Sequence, residues 1–440
     1  MKRRTASTLR RRDFLKAGAA AGAMTLGAPG LIGRASAAAP IYLQTWSAAV
    51  DLVQSHVNAF QTATGLSVDY ANLPWAQYRE GMVTKFVGGA PLDMMWVSDA
   101  WLPEWAEAGW IAPVDEFDFL MKYNAEAEDF CNESMTYDGR QYGLTYYTDF
   151  MAFLYDEEKV KAAGFDGPPT TWEEVVEQSL AMKEKGIAEY PMMLAMAQES
   201  WLIEFMSALV FSHGGRFVDE DGKAVMQDEA VGALQWVVDA VNKHGIISPA
   251  CVETGELSGL KAFSSGNHAF ALIAKYRLRT LNDPEQSQIA GKVKQAMMPM
   301  GPDGEHATVG WMRFHGMSAA AAADPERAEN TAKLIEWFGG KADGEYLFQK
   351  LLFLDVGAGF GVKPLFEDPE IREAYDAYAN VDIIQQQQAL AKKKDVITPW
   401  FGEWNEKNGT LWQAAILGNT DPATALQESA EAWDELKDEY

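Results

Sequence analysis

Between residues 41 and 98 the chain switches its hydrophobic period four times. Residues 41–46 are a short apolar run of strand character, 49–63 place apolar residues at helical spacing, Gly65 breaks that spacing, and 66–71 read as a second strand. The pattern then repeats, with a helix over 75–87 and an apolar strand over 93–98. Strands separated by a helix-length connection pair in parallel through a crossover. The alternation therefore predicts an α/β unit built on a parallel sheet. Ligands of such sheets sit beyond the carboxyl ends of the strands, which marks Trp46 and the Ser98-Asp99-Ala100-Trp101 run on topology alone.

Residues 142–155, YGLTYYTDFMAFLY, form one β-like run that is too long for an average strand and is interrupted at Thr148-Asp149. It reads as a strand crossing between two lobes. Helices dominate beyond it, over 171–185, 201–210 and 229–243, the first opening on a Thr-Thr-Trp-Glu start that resembles a cap. Residues 217–225, FVDEDGKAV, read as a hairpin; Asp219 and Asp221 fall short of a calcium loop because Lys223 stands where an oxygen ligand is needed.

The first 37 residues carry a different signal. Arg11-Arg12-Asp13-Phe14-Leu15-Lys16 resembles a twin-arginine export motif, a glycine-diluted apolar run comes after it, and Ala35-Ser36-Ala37 supplies a small-x-small cleavage site. These residues are expected to be a removed signal peptide that delivers the protein to the periplasm, with no cysteine at the new N-terminus to carry a lipid anchor. The formal charge of the 440-residue chain is −26 and becomes about −33 once that basic segment is set aside. Such a field repels nucleic acid and anionic lipid. No later apolar stretch reaches the roughly 20 residues that a membrane-spanning helix needs. Cys131 and Cys251 belong to no Cys-x-x-Cys pair, which removes iron–sulfur, haem-attachment and zinc-ribbon readings and leaves a single disulfide open.

A catalytic reading finds little to hold. The chain has no G-x-S-x-G elbow, H-E-x-x-H, P-loop or G-x-G-x-x-G, and its six histidines lack partners at metal-ligand spacing, so neither cofactor nor metal is expected. Aromatic residues are in surplus, with 15 Trp, 15 Tyr and 21 Phe. Trp75, Tyr78, Met82 and Phe86 make one helical stripe, and Trp236 and Trp337 sit within apolar helices, so packing accounts for them. Trp46, Trp101, Tyr147, Trp201, Tyr276, Trp311, Trp400 and Trp404 fall instead at expected strand ends, helix starts and loops. A pyranose has one C–H-rich face and a rim of hydroxyls, so stacking rings beside Asp, Glu and Arg are what a sugar site requires.

Nearly the whole mature chain resembles the family-one extracellular solute-binding proteins, the maltose- and glycerol-phosphate-type receptors of ABC importers. The stretch 150–175, FMAFLYDEEKVKAAGFDGPPTTWEEV, is the most specific. DMMWVSDAWLPEWAEAGWIAPVDEF, FSSGNHAFAL, VGWMRFHGMSA and ILGNTDPATALQESAEAW keep the family's order. The resemblance implies an α/β, two-lobed periplasmic-binding-protein fold with three hinge crossings, near 147–150, 311–315 and 356–362. It divides the chain into lobe 1 over 38–147 and 313–358, and lobe 2 over 148–312 and 359–440. It implies a monomeric receptor, not an enzyme, that takes a carbohydrate or polyol from between the lobes to a membrane permease. An anionic sugar derivative is the alternative ligand, and an exported carbohydrate-active enzyme the alternative class. Carried over by position, Trp46, Gln77, Asp99 and Trp101 line the first lobe and Thr148 and Asp149 sit at a hinge. Trp201, Tyr276, Trp311, Trp400 and Glu403 face them from the second. Arg277 and Arg313 reach the cleft at two of the landmarks, where they either grip an anion or neutralise neighbouring acids.

Overall fold

The structure, a computed structural model, describes residues 39–440. The export tag lies outside the described residues. The first lobe begins as its periodicity demands: strand β1 (Ile41–Trp46), helix α1 (Val50–Thr64), β2 (Val68–Leu73), α2 (Trp75–Gly88) and β3 (Met94–Ser98). β1 pairs in parallel with β2 and with β3. β2 starts later than its apolar run suggests because residues 65–67 are spent closing α1. Gly65 adopts a left-handed φ of 74° there, and the Leu66 and Val68 amides donate to side chains of that helix's last turns.

Two long strands belong to both lobes. β4 (Gly143–Asp156) is the predicted crossing strand, and its near-continuous burial explains why it reads as one apolar run. After α3 (Trp172–Glu184), β5 (Met192–Met193), α4 (Leu202–Ser212), α5 (Glu229–Asn242), β6 (Phe270–Ala274) and β7 (Val293–Ala296), the chain returns along β8 (Thr308–Ser318). β8 lies antiparallel between β3, with Arg313 opposite Ser98, and β4, with Trp311 opposite Asp149. Its register shifts between Arg313 and Phe314, a bulge at the level where the sheet passes from one lobe to the other. The second half of β4 pairs with β6 and β7, and β6 with β5, so the sheet order is β2-β1-β3-β8-β4-β6-β5.

Helices α6 (Pro325–Gly339) and α7 (Leu347–Val356) return to cover the first lobe. The chain then crosses a third time. Gly359 passes so close to β4 that a Cβ there would stand 2.0 Å from the Thr148 carbonyl and 2.8 Å from Lys275 Nζ. The short strand β9 (Ala391–Lys392), α8 (Phe401–Ile416) and α9 (Pro422–Glu439) complete the second lobe, α8 and α9 packing on each other and on α5. The hairpin at 217–225 is present, with Asp219 Oδ1 accepting from the Asp221 and Lys223 amides. Cys131 and Cys251 are buried free thiols, so the disulfide left open is not made. Among the described residues no helix is long and apolar enough to cross a membrane.

Candidate functional site

Because β1 and β3 are parallel neighbours, their carboxyl ends deliver Trp46 and Asp99–Trp101 to one place. The Trp46 ring meets Trp75 edge-on at 5.0 Å and Trp101 at 6.4 Å, and Trp101 stacks on Trp75 at 5.3 Å. Trp75 therefore does not accompany the rest of its stripe into the core. Tyr78 and Met82 are fully buried, but Trp75, the first residue of α2, is 52% exposed and completes a three-ring platform at the lobe edge.

The second lobe supplies a matching group. Trp201 immediately precedes α4 and meets Trp311, in the middle of β8, edge-on at 5.3 Å. The Trp311 Nε1–H points at the Tyr147 hydroxyl at 3.4 Å. Tyr276 stands just past β6 with the Arg277 guanidinium 4.7 Å from its ring centre. Among the described residues no cluster of His, Cys, Asp and Glu is arranged to hold a metal ion.

Four charged groups join the two ring clusters. Arg313 Nη1 donates to Asp99 Oδ1 at 3.0 Å, and its guanidinium lies 5.6 Å from the Trp75 ring centre. Lys394, whose side chain is 3% exposed, places Nζ 3.8 Å from Asp99 Oδ2 and 2.9 Å from Glu204 Oε1. Burial alone would raise the Asp99 carboxyl, but Lys394, Arg313 and hydrogen bonds from Ser98 and the Ala100 amide more than offset it and hold it below its ordinary value. Glu204 is raised by burial despite Lys394, and its Oε2 is buried without a hydrogen-bond partner. Arg277 is matched separately, donating through Nε and Nη2 to Glu256 at 2.9 and 3.2 Å.

Thr148 and Asp149 are fully buried where the crossings meet. The Thr148 hydroxyl donates to the Trp311 carbonyl at 2.8 Å, and Asp149 pairs with the buried Lys275 at 3.5 Å. Burial pushes the Asp149 carboxyl up to about 6 although Lys275 opposes it. Gln77 is exposed on the first turn of α2, and Glu403 is exposed on the first turn of α8. The Trp400 ring packs on Trp433 and Tyr440 of the C-terminal segment. Trp404, expected in a loop, lies inside α8 and is fully buried against Phe217, Trp412 and Trp433, because its indole donates to the Ser429 carbonyl of α9.

Sequence reasoning placed Trp75 in a core stripe and passed over Glu204 and Lys394. Glu204 had a signal: it is the only charge in the apolar run LIEFMSALVFS, and a lone acid on a buried helix needs a partner.

The model of the bacterial extracellular solute-binding protein family matches residues 46–345. A probable ABC transporter-binding protein of Deinococcus radiodurans is 25% identical over 309 residues, covering 67% of this chain and 69% of that protein. The maltotriose-binding protein of Pyrococcus abyssi is 22% identical over 325 residues, covering 72% and 64%. Maltose-bound MalE3 of T. maritima superposes with a TM-score of 0.73 at 23% identity, covering 90% of this chain and 99% of that one. The sugar-binding protein MalE of Xanthomonas citri gives 0.77 at 19%, covering 90% and 97%. These likenesses give the two-lobed α/β fold, and the family model, spanning more than half the sequence, assigns the chain: it belongs to the bacterial extracellular solute-binding protein family.

Proposed function

We propose that this protein is the receptor of an ABC importer, that it captures an uncharged carbohydrate or polyol between its lobes, and that it hands the ligand to the membrane permease. The observation that carries the reading is the balance of the cleft. Aromatic faces from both lobes, Trp46, Trp75 and Trp101 against Trp201 and Trp311, surround acids and bases that neutralise one another: Asp99 and Glu204 with Arg313 and Lys394, Arg277 with Glu256. Rings offer the C–H face of a sugar a stacking surface, and paired ions offer its hydroxyls both donors and acceptors. An anionic ligand would need a cation to spare, and both arginines suited to that task already hold carboxylates. Solved neighbours carry ribitol and D-mannitol as well as maltose.

Closure is a hinge equilibrium that a ligand touching both lobes shifts. The lobes divide at 147/148, 312/313 and 358/359, and the receptor works as a periplasmic monomer without a lipid anchor, exported by the twin-arginine route. Mass spectrometry of ligand retained on freshly purified protein tests the reading, together with a thermal-shift panel of sugars, polyols and sugar acids. A ligand at 100 times its dissociation constant stabilises by about 2.7 kcal/mol. Turnover of any panel member, or a retained carboxylate or phosphate, would overturn it. Export that survives Arg11-Arg12→Lys-Lys would overturn the route alone.

A further inference from the structure

Residues 392–394 are three consecutive lysines, and the fold treats them differently. Lys392 pairs with exposed Glu305 and Lys393 is exposed, whereas Lys394 turns inward and buries its side chain between Glu204 and Asp99. Carboxylates ringed by tryptophans are what a protein uses to hold an ammonium group. In this cleft the ammonium belongs to the protein.

We propose that Lys394 is the residue that sets the charge class of the ligand: as a built-in cation between Asp99 and Glu204, it excludes cationic solutes from a site otherwise suited to them. The inference rests on the reading that ligand sits among Asp99, Trp201 and Trp311. Two acids facing two bases leave no charge for an incoming ammonium, which would lose its hydration beside Arg313 and Lys394 without compensation. Removing Lys394 leaves Asp99 with Arg313 as its one ion-pair partner among the described residues. It leaves Glu204, whose Oε2 is already without a hydrogen-bond partner, with no ion pair among the described residues. With alanine in its place the side chain stops at Cβ, and the slot that remains has the length of a propylammonium ion, three carbons and a nitrogen.

The experiment uses the mature chain and Lys394→Ala, with Lys394→Met as a second variant that keeps the bulk of the stem and Lys394→Arg as a charge-retaining control. Propylammonium is expected to raise the melting temperature of Lys394→Ala but not of the wild type or Lys394→Arg, n-propanol to raise none of them, and 0.5 M salt to weaken the effect. In titrations with two matched pairs, glucose with glucosamine and sorbitol with glucamine, Lys394→Met is expected to gain at least tenfold for an amine over its hydroxyl partner relative to the wild type. Equal responses of wild type and Lys394→Ala to propylammonium would overturn the proposal. So would propylammonium binding without any gain for the amines, since the vacated slot would then not be where ligand sits. A wild type that binds no neutral sugar or polyol of the full panel fails the functional reading instead, and the propylammonium result is read independently of it.

Discussion

Arg313→Gln separates a cation held for structure from one held for the ligand. Arg313 Nη1 has two acceptors, Asp99 Oδ1 at 3.0 Å and the Met312 carbonyl at 2.8 Å, and its side chain is 17% exposed. Stripping the last partner from a buried charge costs about 3–5 kcal/mol. Asp99 is not orphaned by this change, since Lys394, the Ser98 hydroxyl and the Ala100 and Met312 amides remain. The expected loss is therefore that of one charge-assisted hydrogen bond, about 2 kcal/mol. Urea unfolding of ligand-free protein reads it, and Asp99→Asn with the double variant closes a cycle whose combined loss should fall short of the sum. Affinity for a neutral sugar should change little with salt. An unchanged urea midpoint together with abolished binding of an anionic ligand would refute the reasoning, because Arg313 would then be answering to the ligand and not to Asp99.

Trp75→Ala should leave unfolding nearly unchanged and weaken sugar binding at least tenfold, whereas Trp404→Ala should cost about 3–5 kcal/mol through a core cavity; calorimetric titration and urea midpoints read the two effects. Asp149 and Asp395 are both pushed by burial from 3.8 up to about 6. Between about pH 4 and 6 the native protein therefore binds more protons than the unfolded chain at these sites, and their contribution to stability falls as pH rises through that window and stays low above it. Asp149→Asn and Asp395→Asn should each gain on the wild type between pH 4.5 and 7, and a constant difference would exclude the raised values. Gly359→Ala drives a methyl into the Thr148 carbonyl, so it should destabilise by about 1–3 kcal/mol and reduce the ligand-induced compaction seen by small-angle scattering.

What local periodicity can carry was legible before the structure: the β-α-β start, the strand through 142–155, and the helices near 171–185 and 229–243. The place of β8 was not. Its neighbours β3 and β4 are both distant in sequence, and nothing in an apolar run names its partners. Trp75 misled because its spacing to Tyr78 and Met82 is helical, yet position 75 is where the helix starts and the lobe ends. Trp404 misled in the opposite way, a core residue in what looked like a loop. Lys394 was hidden by composition, since a run of lysines reads as a solvated face and only the chain's path after β9 turns the third of them inward.

The seating of β8 between β3 and β4 also sets a clock. Ser98 pairs with Arg313, 215 positions later. At ordinary rates of synthesis, about 5–20 residues per second, that interval is roughly 10–40 s. Through all of it the nascent first lobe carries β3 with an open edge, a row of unpaired amides and carbonyls in a strand of Met, Trp and Val. No truncation that stops short of residue 313 can close that edge. The newborn chain must stay shielded until its own later segment arrives.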